Sequence, residues 1–285
     1  MSVGHAETAI ARPERRRAPR TAVGGVGPLG LGVATLWLSL IVLLPLAAVF
    51  ARALDDGVAA FWDAVTAPAA LAALEFTIAA SAVVALVNVV VGTLIAWVLV
   101  RDEFPGKRLV DAIIDLPFAL PTIVASIVLL ALYGPRSPAG LHLFATKPAV
   151  VIALLFVTLP FVVRSVQPVL MEADREAEQA AASLGAGNWT IFRRIVLPAL
   201  VPTLLSGAGL AFARALGEYG SVVLIGGGIP HDTEVSSQYI AKQIEIDRPA
   251  SAAAVSIALL LIAFVVLFVL RRLAKRSMRY GEASR

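Results

Sequence analysis

The sequence predicts an all-α integral membrane protein with six transmembrane helices and both termini on the cytoplasmic side. Its composition, six long apolar segments and the placement of its basic residues support this. Hydrophobic residues make up 59% of the 285 residues and charged residues 15%, and the mean hydropathy is +0.84. Soluble domains carry about 25% charged residues, so the composition excludes a soluble fold.

Six segments are long enough to cross a bilayer, because a helix needs about 20 apolar residues to span a hydrocarbon core about 30 Å thick. The first is longer than the apolar part of a signal peptide, and we expect it to be an uncleaved anchor. The predicted spans cover about 31–51, 75–99, 110–133, 149–167, 199–225 and 252–270.

The basic residues predict the orientation, because Lys and Arg are enriched in cytoplasmic loops. Eighteen of the 24 lie in the N-terminal arm, the 101–109 loop, the connection after the fourth span and the C-terminal tail. Arg164 is assigned here to the connection after the fourth span. The opposite side holds five, and Arg214 lies within a span.

Other classes of site find little support in the sequence. The basic residues form no single stripe, so the net charge of +4 does not indicate a nucleic-acid partner. Cysteine is absent and the three histidines are scattered, so we predict no metal ligands. No grouping of catalytic residues appears, and no lysine follows a phosphate-binding glycine-rich loop.

The connection at about 168–198 is amphipathic and longer than a turn requires. Residues Glu178 to Leu184 favour a helix, and Gly185 and Gly187 supply the backbone freedom for a sharp reversal. We therefore expect a helix–turn–helix that projects into the cytoplasm with a small, alanine-rich face.

The second half of this connection predicts a short helix leading into the fifth span. Asn188 or Thr190 can cap that helix. Pro198 suits the first turn of the next span, where its missing N–H costs little.

The connection resembles the EAA motif of ABC importer permeases, the binding-protein-dependent inner membrane components. In that motif Glu-Ala-Ala is followed by three residues and Gly, then by nine residues and Ile-x-Leu-Pro. Gln179 stands where the family has Glu, and Glu178 precedes it, which leaves the ion pair of the family's Glu open. The resemblance implies a coupling loop that docks on an ATPase subunit, formed by Glu178, Gln179, Ala180, Ala181, Gly185, Ile195, Leu197 and Pro198.

Two further stretches resemble the T-type permease subunit of sulfate/thiosulfate importers, and the similarity runs from about 30 to 270. The first joins Phe104-Pro-Gly-Lys-Arg108 to Asp115-Leu-Pro-Phe-Ala-Leu-Pro121, and the second covers 212–223, with Lys242 and Asp247 in an outward loop. Where that family often has Gly-Asn, this chain has three glycines at 226–228. Molybdate permeases share the Gly-Glu segment and are the main alternative within the class.

The resemblance implies a type I ABC importer permease fold in the bacterial cytoplasmic membrane. The expected partners are a second (W-type) permease subunit, two ATPase subunits, an extracytoplasmic sulfate-binding protein and membrane lipid. The chain itself would hold no cofactor, because ATP and Mg would bind to the ATPase subunits. The implied divisions are a basic arm (1–29), a first transmembrane helix (30–52), a permease domain (71–271, coupling loop about 175–198) and a basic tail (272–285).

Arg214 and Glu218 are four residues apart on the predicted fifth span, so their side chains can meet on one face. Each would cost about 2.5–3.5 kcal/mol at a helix centre. Either the pair contributes to an anion path, or it locks helices together.

Small residues recur every four positions on the same predicted span, and such a stripe favours close helix packing. They are Gly209, Ala213, Gly217 and Ser221. In the third span, Pro117 and Pro121 break the helical hydrogen bonding. The irregular backbone that results can line a translocation path, or it can be a buried kink.

Asp111 and Asp115 lie near the cytoplasmic end of the third span. We expect them to be interfacial, either hydrated or paired with Lys107 or Arg108.

The function implied is a pore-forming subunit of an ATP-driven importer of sulfate or thiosulfate, and not an enzyme. A permease for molybdate, tungstate or another oxyanion is the alternative within the class. A secondary anion transporter is the alternative outside it, but it would call for ionisable pairs in several spans or an inverted repeat.

Overall fold

The computed structural model describes residues 28–138 and 140–283, and its regular structure over this range is helical. Within these described residues, those up to Ala47 and those from Ala48 onward form two units. In the part of the chain that the structure describes, five helices are long and apolar enough to cross a membrane, and a sharply bent helix pair brings the total to six if it counts as one span.

The first predicted span is a continuous apolar helix, Leu29–Ala53. Helix α1 (Pro28–Leu38) leads through a π-helical turn, Ser39–Leu43, into α2 (Leu44–Ala53). The wider turn lies just before Pro45, whose ring would otherwise press on the carbonyl four residues back.

The second unit is a bundle built around four long helices. These are α4 (Pro68–Arg101), α7 (Lys147–Glu172), α10 (Leu197–Leu216) and α12 (Pro249–Ala283). Helices α4, α7 and α10 pack against one another, and α12 packs on α10. The short helix α3 (Gly57–Thr66) packs against α12.

Helices α4 and α7 run antiparallel, and the core they share has two ends. At one end Val84 of α4 meets Val150 near the start of α7. At the other, Leu99 meets Leu170 near the end of α7. Between them the amide of Asn88 donates to the Thr158 hydroxyl at 2.7 Å, which satisfies the polar residue that interrupts the second predicted span.

The third predicted span is not one straight helix. Helix α5 (Lys107–Ala119) and helix α6 (Thr122–Tyr133) meet at an angle of 115°. Because a proline is incompatible with the preceding helical turn, Pro121 begins a new helix instead of continuing the old one. The expected break is present, but the bend is far larger than a kink.

The fifth predicted span, 199–225, has different limits. The helical stretch begins at Asn188 and ends at Leu216, and an apolar loop covers 217–235 before α11 (Ser236–Glu245). Hydrophobicity alone could not separate this loop from the helix, because Val222 and Ile225 are as buried as helical core residues.

Candidate functional site

The predicted helix–turn–helix is present at the end of the bundle where α4 and α7 finish. Its first arm is α8 (Arg175–Ser183). The Asp174 carboxylate caps this helix by accepting the N–H groups of Glu176 at 2.9 Å and Ala177 at 3.3 Å. None of the α8 residues is buried, so the arm lies on the surface of the chain.

Gly185 makes the turn possible. Its φ is +87°, a conformation that costs other residues about 1–2 kcal/mol. The N–H of Gly185 donates to the Ala182 carbonyl at 2.9 Å, and that of Ala186 donates to the Ala181 carbonyl at 3.0 Å. These bonds form a Schellman motif, which satisfies the last carbonyls of α8.

The second arm differs from the prediction in two respects. Gly187 precedes the helix without a side-chain cap, and Asn188 and Thr190 lie inside it, so neither is the cap. Gly187 also has an ordinary φ of −71°, so the reversal depends on Gly185 alone.

The second arm is also not a separate short helix. Helix α9 (Asn188–Ile191) passes through a π-helical turn (Phe192–Val196) directly into α10. The wider turn accommodates Pro198 two residues later. Ile195, Leu197 and Pro198 therefore lie within the membrane-length helix itself, which begins at Asn188.

Some of the predicted coupling residues are exposed on the surface of the helix–turn–helix. Gln179, Ala180 and Gly185 are exposed, and Ala181 is half-buried. Two large apolar side chains stand beside them, Leu184 at 89% exposure and Trp189 at 70%. Exposed apolar groups grouped in this way are typical of a protein-binding surface.

Glu178 behaves differently from its neighbours, because it faces inward. Its carboxylate accepts a hydrogen bond of 2.6 Å from the guanidinium of Arg101, the last residue of α4. Sequence reasoning missed Arg101, since 77 residues separate the two and no local spacing pairs them.

The Arg214–Glu218 pair forms at 2.5 Å, but Glu218 lies beyond the end of α10 and not on the helix. Its carboxylate is 1% exposed and also accepts the Ser221 N–H at 2.8 Å. The Ser237 hydroxyl donates to the Glu218 carbonyl at 2.6 Å. The pair thus fastens the 217–235 loop to α10, while the Arg214 side chain stays 36% exposed.

Only the first half of the predicted small-residue stripe lies on a helix. A Cβ at Gly209 would approach Leu267 of α12 at 3.2 Å, so this position packs closely, and Ala213 follows one turn later. Gly217 and Ser221 lie beyond the helix, so they do not continue its face.

Asp111 and Asp115 are paired, but not with Lys107 or Arg108. Arg164 of α7 contacts Asp111 at 2.7 Å and both carboxylate oxygens of Asp115, at 2.7 and 2.6 Å. Arg164 lies within α7. It is therefore not part of the connection after the fourth span, where it was predicted to lie.

On the opposite end of the bundle, Glu234 lies in the apolar loop and is 4% exposed. Burial raises the pKa of its carboxyl group, and the nearby positive charges of Lys242 and His231 oppose this shift. Lys242 is in α11, 3.8 Å from the carboxylate. Burial likewise raises the pKa of Tyr239, with Glu234 acting in the same direction.

The three glycines of this loop fit a crowded turn. A Cβ on Gly226 would lie 2.8 Å from the Val222 carbonyl oxygen, and one on Gly227 would lie 2.5 Å from the Cβ of Ala145. Gly227 also has a φ of +73°.

Comparison with known proteins agrees with this geometry. Residues 88–279 match the family model described as binding-protein-dependent transport system inner membrane component. The chain belongs to this family. It is a permease subunit, and its fold is that of ABC importer permeases.

Sulfate transport permeases are among the relatives of this chain. The sulfate transport system permease protein CysT of Synechocystis sp. is 41% identical over 258 residues, 88% of this chain and 90% of the relative. The protein of the same name from Salmonella typhimurium is 42% identical over 256 residues, 87% of this chain and 92% of the relative.

Solved structures support the fold. A bacterial alginate ABC transporter in complex with its alginate-bound periplasmic protein matches with a TM-score of 0.72 at 18% identity, over 86% of this chain and 92% of that one. The MetNI methionine ABC transporter in an inward-facing conformation matches with a TM-score of 0.58 at 20% identity, over 72% of this chain and 94% of that one.

Proposed function

We propose that this permease is the T-type subunit of a sulfate/thiosulfate importer in the bacterial cytoplasmic membrane. The observation that carries the proposal is the identity of about two residues in five with sulfate transport permeases over almost nine-tenths of the chain. A likeness of that extent covers the bundle and both of its loop-bearing ends, and is not confined to the coupling loop.

Energy for transport comes from a separate ATPase in this proposal. The surface formed by Gln179, Ala180, Leu184 and Trp189 is the docking site for one ATPase subunit, because it combines a small alanine face with two exposed apolar anchors. ATP and Mg bind to the ATPase pair. A W-type permease completes the pore, and an extracytoplasmic binding protein delivers the anion.

Arg214 is the cation that we assign to the anion path. Its guanidinium is partly exposed, and the buried Glu218 carboxylate neutralises much of its charge. A neutralised cation would hold an oxyanion weakly, and weak binding suits a path from which the ion must leave.

The test is uptake of radiolabelled sulfate by cells that lack this gene, with and without the gene restored. We expect restoration to recover uptake and excess molybdate not to compete. Loss of molybdate uptake alone in the deletion strain would reject sulfate as the substrate.

Docking on the coupling surface is tested separately. The double variant Leu184→Asp with Trp189→Ala should no longer co-purify with the ATPase subunit. The matched control is Ile244→Asp, an exposed apolar residue at the other end of the bundle, which should co-purify normally. Unchanged co-purification of the double variant would reject the docking surface.

A further inference from the structure

Helix α8 has few connections to the rest of the bundle. None of its residues is buried, and its main packing partner is α9. Within the described residues, one side-chain ion pair joins α8 to a membrane-length helix, and it links Glu178 to Arg101. This pair is therefore a direct side-chain connection between α8 and α4.

The pair is well shielded from water. The side chain of Arg101 is 12% exposed and that of Glu178 is 18% exposed. An exposed ion pair contributes about 0–1 kcal/mol, whereas breaking a shielded one leaves an uncompensated charge and costs more.

The second arm of the loop reaches the same turn of α4. The Arg101 guanidinium lies over the Trp97 ring at 5.2 Å. Trp97 in turn packs edge-to-face with Phe192, their ring centres 5.6 Å apart. Phe192 stacks on the exposed Trp189 at 5.6 Å. Both arms of the loop thus converge on the last turn of α4.

The position of the carboxylate explains the departure from the EAA pattern. Successive residues of a helix point about 100° apart, so moving the acidic residue from 179 to 178 turns it from the exposed face toward α4. Gln179 remains exposed and Glu178 does not. The acidic group is therefore used inside this chain and is not presented to a partner.

We propose that the Arg101–Glu178 ion pair transmits movement of α8 to α4, and we call this pair the strut. Arg101 and Glu178 are therefore positioning residues for transport. This rests on the proposed function, because it takes the α8 surface as the site where the ATPase docks. Helix α4 packs on α7 and α10, so a displacement of its end is passed to the core of the bundle.

The test compares variants in the assembled complex. Arg101→Gln and Glu178→Gln should assemble with the ATPase and hydrolyse ATP, while uptake falls about tenfold, as expected for a loss of about 1.4 kcal/mol of coupling. The reversed pair, Arg101→Glu with Glu178→Arg, should recover more uptake than Arg101→Glu alone. The control Glu103→Gln removes an exposed pair with Lys107 in the neighbouring loop and should transport normally.

A distance measurement makes the test independent of the substrate. Because the chain has no cysteine, spin labels can be placed at Ser183→Cys on α8 and Val98→Cys on α4. We expect the distance between them to stay constant between nucleotide-free and vanadate-trapped complexes, and to change between these states in Arg101→Gln.

A label distance that changes in the parent complex would overturn the strut, as would wild-type uptake by Arg101→Gln. Failure of Arg101→Gln to assemble, with Glu178→Gln transporting normally, would overturn it as well. Absence of sulfate uptake by the parent complex would count against the proposed substrate only, because the label distances would still decide the strut.

Discussion

Arg164 of α7 binds two carboxylates of α5, those of Asp111 and Asp115, and so holds the two helices together. Its guanidinium is bidentate to Asp115, contacts Asp111, and donates to the Gln167 amide oxygen at 2.6 Å. The planar fork of arginine matches this arrangement, and the point charge of lysine does not.

We therefore expect Arg164→Gln to lower stability by about 1–2 kcal/mol, allowing for the partial exposure of the carboxylates. Arg164→Lys should recover only part of the loss. The measurement is thermal unfolding in detergent, with Arg52→Gln as a control because it removes an exposed pair. Equal unfolding temperatures for Arg164→Gln and the control would refute the assignment.

Glu234 gives the opposite end of the bundle a pH dependence. Its folded-state pKa is raised above the usual 4.5 by burial, so the folded state binds the proton more tightly than the unfolded state. The contribution of Glu234 to stability is then fully present below pH 4.5 and is lost as pH rises through the raised pKa.

Glu234→Gln should remove this fall, so that its unfolding temperature changes less than that of the parent between about pH 5 and 8. Glu103→Gln is the control, because its folded-state pKa is lowered by Lys107 and its contribution is lost only as pH drops below 4.5. A parent-like slope in Glu234→Gln would show that another group titrates.

At the scale of the element, the turn after α8 can be tested with two glycines. A Cβ meets nothing within 4 Å at either Gly185 or Gly187, so the two differ in backbone conformation alone. Gly185→Ala should strain the turn by about 1–2 kcal/mol and reduce sulfate uptake, whereas Gly187→Ala should not. Similar uptake by the two variants would mean that the turn tolerates the strain.

Gly220 of the apolar loop lies against the start of α6, next to the break between α5 and α6. A Cβ on Gly220 would lie 2.2 Å from the Thr122 hydroxyl and 2.9 Å from the Ile123 nitrogen, so Gly220→Ala must push α6 away from the loop. Gly217→Ala is the matched control, since nothing lies within 4 Å of its Cβ.

We expect Gly220→Ala to lower the unfolding temperature and to increase proteolysis near the break, with Gly217→Ala close to the parent. The estimated cost is about 1–3 kcal/mol, the range for overpacking. Comparable unfolding temperatures for the two variants would indicate that α6 shifts without cost.

At the scale of the whole molecule, the two ends of the bundle predict two sides of the membrane. Ser183 lies on α8 and Glu245 ends α11, and both are exposed. Single cysteines at these positions can be labelled with a membrane-impermeant maleimide, since the chain has no other cysteine.

We expect Glu245→Cys to react in intact spheroplasts and Ser183→Cys to react only after permeabilisation, because the enrichment of basic residues in cytoplasmic loops predicts that the coupling surface faces the cytoplasm. The reverse pattern would invert the topology and reject the docking of a cytoplasmic ATPase on α8.

The number and approximate positions of the spans were predictable because apolar length is a strong signal. The ends of the fifth span were not, since Val222 and Ile225 bury apolar side chains in a loop. The helix–turn–helix was predictable from its helix-forming residues, and the turn at Gly185 from the glycine itself, whereas the docking role of this loop stays a prediction. The Glu178–Arg101 and Arg164–Asp111 pairs depend on tertiary packing across dozens of residues, which local spacing cannot reveal.

The unbroken helix from Asn188 to Leu216 has a further consequence. Its 29 residues extend about 43 Å, so Trp189 of the coupling surface lies near one end of this helix and the loop held by Glu218 begins at the other. Tilting that helix by about 10° at one end moves the other by about 7 Å. A tilt at the coupling surface then reaches the opposite face of the membrane through the backbone of this helix, alongside any movement passed to α4.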